Sequence, residues 1–217
     1  MTKLRIDFVS DVVCPWCAVG LASLEQALRR LQGEVDAELH FQPFELDPAM
    51  PKEGMAVADN LKRKYGLTDA QLAENQARIR DRGAELGFTF DFNARSRTWN
   101  TFDAHRLLHW AAVEAPERQL PLKRALLVAN FSEGLDISDH AVLAGVAAGV
   151  GLDVDRARAV LEGGEFADDV RAAEQFFQGL GIGSVPAVIV ERKHLISGGQ
   201  PPEVFERALR EIAAAAD

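Results

Sequence analysis

Cys14-Pro15-Trp16-Cys17 stands between two patterns that fold differently, and that junction constrains this chain more than any other stretch of it. Before it, Leu4, Ile6 and Phe8 alternate with the period of a strand; behind it, Leu21, Leu24, Leu28 and Leu31 recur at helical spacing. The first thiol therefore falls at a helix N-terminus, where unpaired amide N–H groups and the positive end of the helix dipole favour a thiolate over a thiol. Cys14 is then a nucleophile near neutral pH. Cys17, one turn on, is placed to displace a partner from a mixed disulfide. These are the chain's only two cysteines, and they read as a redox-active dithiol.

Competing roles fit less well. A structural zinc site needs a second pair of ligands. Among the histidines, His40, His105, His109, His140 and His194, only His105 and His109 form an i, i+4 pair, and their finger spacing to the cysteines is absent. No metal is expected. A purely structural disulfide closing so short a loop would restrain little of the unfolded chain.

With 47% of 217 residues apolar, the chain can bury the core of one large domain or of a core domain with an insertion. Its formal net charge of −9 argues against nucleic acid or an anionic membrane as the main partner. Arg5 and Asp7 interrupt the first apolar run, so no secretory signal is expected. No stretch is long and apolar enough to span a bilayer. The expected location is the cytoplasm, where lasting disulfides are rare.

Val35, Ala37, Leu39 and Phe41 alternate again after Gln32-Gly33, giving β-α-β with the strands parallel. Pro43, Pro48 and Pro51 then open a loop, and helices dominate from Ala56 to Ala167. Thr68-Asp69-Ala70-Gln71 reads as a capping box opening a helix to Glu85 or Leu86. Phe88, Phe90 and Phe92 suggest a short extended piece. Further helices are expected from Asn100 or Thr101 to Ala115, Pro121 to Phe131, Ser138 to about Gly149, Asp155 to Leu161, and Glu165 to Leu180. Pro186–Val190 and His194–Ser197 read as a hairpin, and Pro201 or Pro202 opens a terminal helix. The fold expected is α/β. Residues 1–50 and 165–217 form one discontinuous domain, and residues 51–164 form an all-helical insertion between its β-α-β and β-β-α parts.

A CxxC at a strand–helix junction, with Gly183-Ser184-Val185-Pro186-Ala187-Val188-Ile189 far along the chain, resembles the thioredoxin fold. The resemblance implies that the Val185–Pro186 bond is cis and lies beside the CxxC. There it bares the Val185 backbone as an edge for an extended thiol substrate. The helical insertion carries the likeness to the DsbA family of thiol–disulfide oxidoreductases. Ser10-Asp11-Val12-Val13-Cys14-Pro15-Trp16-Cys17, Pro43-Phe44-Glu45-Leu46, Asn100-Thr101-Phe102-Asp103-Ala104-His105-Arg106-Leu107 and Gly198-Gly199-Gln200-Pro201 resemble its FrnE-like branch. That branch neighbours 2-hydroxychromene-2-carboxylate isomerases and kappa-class glutathione transferases. Those relatives typically place serine where Cys14 stands, so both cysteines favour dithiol chemistry. Periplasmic DsbA proteins place histidine where Trp16 stands. Without that cation, Cys14 should be less acidic and the disulfide less oxidising.

The resemblance assigns Cys14 as attacking thiol, Cys17 as buried resolving thiol, and Val185 and Pro186 as substrate guides. Trp16 offers an apolar contact with one N–H donor, and Pro15 suits a helix start. Asn100, His105 and Arg106 are implied to line the groove from the insertion. His105 reads either as a proton shuttle or as a satisfied helix histidine. Asp7 and Asp11 are candidate proton acceptors, Asp11 equally a loop cap. Glu45 reads as solvated, and Trp99, Trp110 and the phenylalanine run as core. The implied activity is thiol–disulfide exchange on a protein or small-thiol substrate. It needs no cofactor beyond glutathione as a redox partner, and a homodimer is compatible with the chain. The alternative is a glutathione-dependent isomerase or transferase acting on an aromatic or polyketide-like small molecule. A third reading is a binding protein whose dithiol never cycles.

Overall fold

The computed structural model describes residues 1–216. β1 (Thr2–Ser10), α1 (Pro15–Arg30) and β2 (Val35–Pro43) form the expected opening unit, and β1 pairs with β2 in parallel from Thr2↔Val35 to Ser10↔Pro43. Then follow β3 (Met55–Ala56), α2 (Val57–Tyr65), α3 (Asp69–Glu85), β4 (Arg97–Thr98), α4 (Phe102–Glu114), α5 (Pro116–Phe131), α6 (His140–Gly149) and α7 (Val154–Gly163). The chain closes with α8 (Ala167–Gly179), β5 (Ala187–Val190), β6 (His194–Ser197) and α9 (Pro202–Ala216).

The main sheet runs β2-β1-β5-β6, with β5 antiparallel to both β1 and β6. Alternation along the strands divides the residues between its faces. Leu4, Ile6, Phe8, Val188 and Val190 join one cluster with Leu21 and Leu24 of α1 and with Phe205 and Leu209 of α9. Val9, Ala187 and Ile189 join another with Phe44 and with Phe177 of α8. Insertion residues Ile79, Phe90, Leu127 and Phe131 belong to the first of these clusters. Val12, just before the dithiol, packs into a third cluster built from α4 to α7.

Local chemistry explains most boundaries. Thr68 caps α3 with a complete capping box to Gln71. Asp139 and Asp153 cap α6 and α7 through their side chains. The reading of α5 as starting at Pro121 is corrected: the helix begins at Pro116, and Pro121 lies inside it, where the missing N–H leaves the Glu117 carbonyl without its helical donor. Phe88, Phe90 and Phe92 form no strand. Phe88 and Phe90 pack edge-on against Phe131, and Phe90 stacks on Phe92. β3 and β4 form a two-residue antiparallel clip that the sequence did not signal. It depends on Gly54 at φ 64°, since a Cβ there would lie 2.4 Å from the Thr98 carbonyl oxygen.

Candidate active site

Cys14 is the N-cap of α1, with extended backbone (φ −87°, ψ 113°), and Pro15 follows at the first helical position. Both thiols are free and buried: Cys14 is 5% exposed and Cys17 is fully covered. Cys14 Sγ lies 3.7 Å from the Val185 carbonyl oxygen, and the Val185–Pro186 bond is cis. Pro186 packs on α1, where a Cβ at Gly20 would come within 3.0 Å of its Cγ. Residues 171 positions apart thus form one site.

The two thiols are unequal. A hydrogen bond from the Cys17 thiol is the main influence holding Cys14 below the ordinary thiol range. Burial opposes it, the first-turn amides of Cys17 and Trp16 assist it, and the Asp11 carboxylate works against it. Burial pushes the Cys17 thiol well up, and its neighbour's sulfur pushes it further.

Around the pair lies a largely buried charged cluster, of which Asp11 and Arg95 also line the cleft in front of the thiols. Asp11 accepts from the Leu46 amide at 2.7 Å and the Val13 amide at 3.4 Å, so it is a loop cap as well as a neighbour of the dithiol. His105 Nε2 stands 3.4 Å from Asp11 Oδ1, an ion-pair distance without hydrogen-bond alignment. Burial raises the Asp11 carboxyl, but His105, the Leu46 amide and Lys123 outweigh it, and the net shift is downward. Arg95 is buried over the Phe131 ring and donates to Asn130 and to the Val13 carbonyl. Desolvation pushes it down to about 10 despite the pull of Cys14 and Asp11. Lys123 is fully buried, and its Nζ has no hydrogen-bond partner.

Above the pair opens a cleft of about 620 Å³, lined by Cys14, Pro15, Trp16 and Val185 on one wall. Met50, Leu61, Tyr65, Leu72, Ile79 and Trp99 form much of the facing wall. Arg78 of α3 lies over the Trp16 ring. Trp99 packs against the helical cluster and Phe92 against the sheet cluster, as read from the sequence, but both also line the cleft, whereas Trp110 is core alone.

Other sequence-derived candidates lie elsewhere. Asn100 is corrected out of the groove: it donates to the Met50 carbonyl and accepts from the Phe102 amide just ahead of α4. Arg106 is corrected likewise. Its guanidinium is consumed by Asp103 and by the Val160, Leu161 and Glu165 carbonyls around the end of α7. Asp7 is held by Arg5 and Gln42 across the sheet, away from the thiols. Glu45, read as solvated, is buried against Arg171 of α8. Only His105 of the three groove residues on the insertion reaches the site, and it does so through Asp11. Arg95 and Lys123 were missed. The signal for Lys123 was its place on one helical face with Gln119, Leu126, Leu127 and Asn130.

Comparison with known proteins bears on this arrangement. The profile of the DSBA-like thioredoxin domain matches residues 5–210. A probable DsbA oxidoreductase from Streptomyces coelicolor is 35% identical, with a TM-score of 0.88 over 99% of this chain and 91% of its own. The uncharacterized protein YwbO of Bacillus subtilis is 29% identical over 95% of this chain and 96% of its own. The cytosolic disulfide reductase DsbM of Pseudomonas aeruginosa, solved with glutathione, shares the fold. It has a TM-score of 0.67 at 19% identity, over 97% of this chain and 99% of its own.

Proposed function

This chain belongs to the family of DSBA-like thioredoxin domains, and from that premise we propose that it is a thiol–disulfide oxidoreductase cycling Cys14 and Cys17 between dithiol and disulfide. The observation that carries the reading is the inequality of the pair. Cys14, at the mouth of the cleft, is held low, and Cys17, covered behind it, is held high. The Cys14 thiolate attacks a substrate disulfide, one half leaves as thiolate, and the other stays bonded to Cys14. Cys17 then attacks Cys14 Sγ, closing the internal disulfide and expelling the second half. Run backwards, the same steps oxidise a substrate dithiol. Val185 and Pro186 form the wall against which the substrate sulfur is presented, and Trp16 provides its apolar floor. Glutathione is a fitting partner for recycling, and the cytoplasm a fitting compartment. Both are supported by the structural neighbour described as a cytosolic disulfide reductase and solved with glutathione.

Reduction of insulin or of a small disulfide tests this reading. Cys14→Ser should abolish turnover, and Cys17→Ser should accumulate mixed disulfides through Cys14 detectable by mass spectrometry. Full turnover by Cys14→Ser would overturn it. The largely apolar cleft favours one second reading, a glutathione-dependent isomerase or transferase acting on an aromatic small molecule. Glutathione-supported activity that survives loss of Cys17 would select that reading instead.

A further inference from the structure

Lys123 is a fully buried amine with no hydrogen-bond partner, an expensive thing for a fold to keep. Its helical face fixes where it lies. Asn130, two turns on, donates to the Val12 carbonyl at 3.0 Å, and Gln119, one turn back, bonds the backbone of Phe41 in β2. That stripe of α5 therefore runs under the segment leading into the dithiol. Burial lowers the Lys123 amine, and the negative charges that pull it back up are Cys17 from α1 and Asp11 and Cys14 from the segment before it. Arg95 is the other buried cation acting on Cys14 and Asp11, and His105 of α4 stands across Asp11.

We propose that Lys123 is the counter-charge of the resolving thiol: its ammonium steadies the Cys17 thiolate as that sulfur attacks Cys14. The proposal rests on the thiol–disulfide reading above. While Cys14 is a thiolate, the buried cations Arg95 and Lys123 face the anions Asp11 and Cys14. Once Cys14 enters a mixed disulfide, its charge is gone and positive charge is in excess. Ionising Cys17 restores the balance, and low dielectric makes that restoration strongly favourable. The Cys17 proton leaves for the solvent, and the Cys17 electron pair forms the Cys14–Cys17 bond. The substrate–Cys14 bond breaks, and its electron pair leaves on the substrate sulfur as a thiolate. Lys123 is a positioning residue for charge: once Cys14 is no longer an anion, its unopposed pull lowers the Cys17 thiol.

A single-turnover reaction of the reduced protein with the chromogenic aromatic disulfide dithiobis-nitrobenzoate separates the steps. The first thiolate release reports Cys14 attack, and the second reports closure by Cys17. In Lys123→Met the first release should stay within about twofold. The second should slow about tenfold or more at neutral pH, its pH midpoint moving up by about one unit. Lys123→Gln should behave like Lys123→Met and serves where the methionine variant does not fold. Lys123→Arg, which keeps the charge, should stay within about threefold of the unmodified profile. A second release whose pH profile superimposes on that of the unmodified protein overturns the proposal. So does equal slowing of both releases, or loss of the second step in the arginine variant. Failure of the unmodified protein to give a first release would instead overturn the oxidoreductase reading.

Discussion

Two sulfurs one helical turn apart differ because each answers to different neighbours. Cys14 takes the helix N-terminal amides and the Cys17 thiol, whereas at Cys17 burial and the adjacent sulfur outweigh the opposing pull of Lys123 and of the Asp11 backbone. Limited iodoacetamide treatment of the reduced protein at neutral pH should therefore label Cys14 well before Cys17; mass spectrometry giving equal labelling would contradict the assignment. The same shifts set a pH dependence of stability. The lowered Cys14 contributes stability that is present above the unfolded thiol value, about 8.5, and is lost as pH falls through its folded value. The raised Cys17 contributes stability that is present below about 8.5 and is lost as pH rises through its folded value. The urea stability of the reduced protein, minus that of Cys14→Ser/Cys17→Ser, should thus peak at about pH 8.5. A difference that falls steadily from acid to alkaline pH would refute the lowered Cys14.

At the scale of elements, the site exists because α1 is pressed against the turn between β6 and α9. Gly199 touches the first turn of α1 so closely that a Cβ would lie 2.9 Å from the Trp16 carbonyl oxygen, a backbone atom that cannot swing aside. Gly199→Ala should cost about 1–3 kcal/mol and slow the Cys14 reaction, because the turn carrying both thiols must shift. Gly145 makes the contrast. It sits exposed within α6 with nothing within 4 Å of an added Cβ. Gly145→Ala should stabilise by about 1 kcal/mol and leave thiol reactivity unchanged. Parallel urea titrations and alkylation rates check both. Stability losses of similar size in the two variants would mean that close approach at Gly199 is not what matters.

For the molecule as a whole, the insertion and the sheet share a core. Ile79, Phe90, Leu127 and Phe131 pack in one cluster with Leu4, Ile6, Phe8 and Phe205, and Val12 reaches from the dithiol loop into the helical cluster. Neither part can unfold without exposing apolar surface of the other. Thermal unfolding should accordingly be one transition, with calorimetric and van't Hoff enthalpies agreeing. Two resolved transitions would show that the helical stretch is stable alone.

Residue spacing by itself determined what is written within about a dozen neighbours. It gave the strand–CxxC–helix junction, the parallel β1–β2 unit, the Thr68 capping box and the closing hairpin and helix, because backbone periods and caps are local properties. The joining of Val185-Pro186 to Cys14 was legible only through family resemblance, since no local pattern links positions so far apart. Tertiary structure alone decided the fate of the charged side chains. Asp7, Asn100 and Arg106 found partners away from the thiols, while Arg95 and Lys123, ordinary cations in the sequence, were buried near them. The physical reason is that burial of a charge, and what it meets there, depends on which helix faces which strand. A one-dimensional pattern fixes the face of a helix but not the element that covers it.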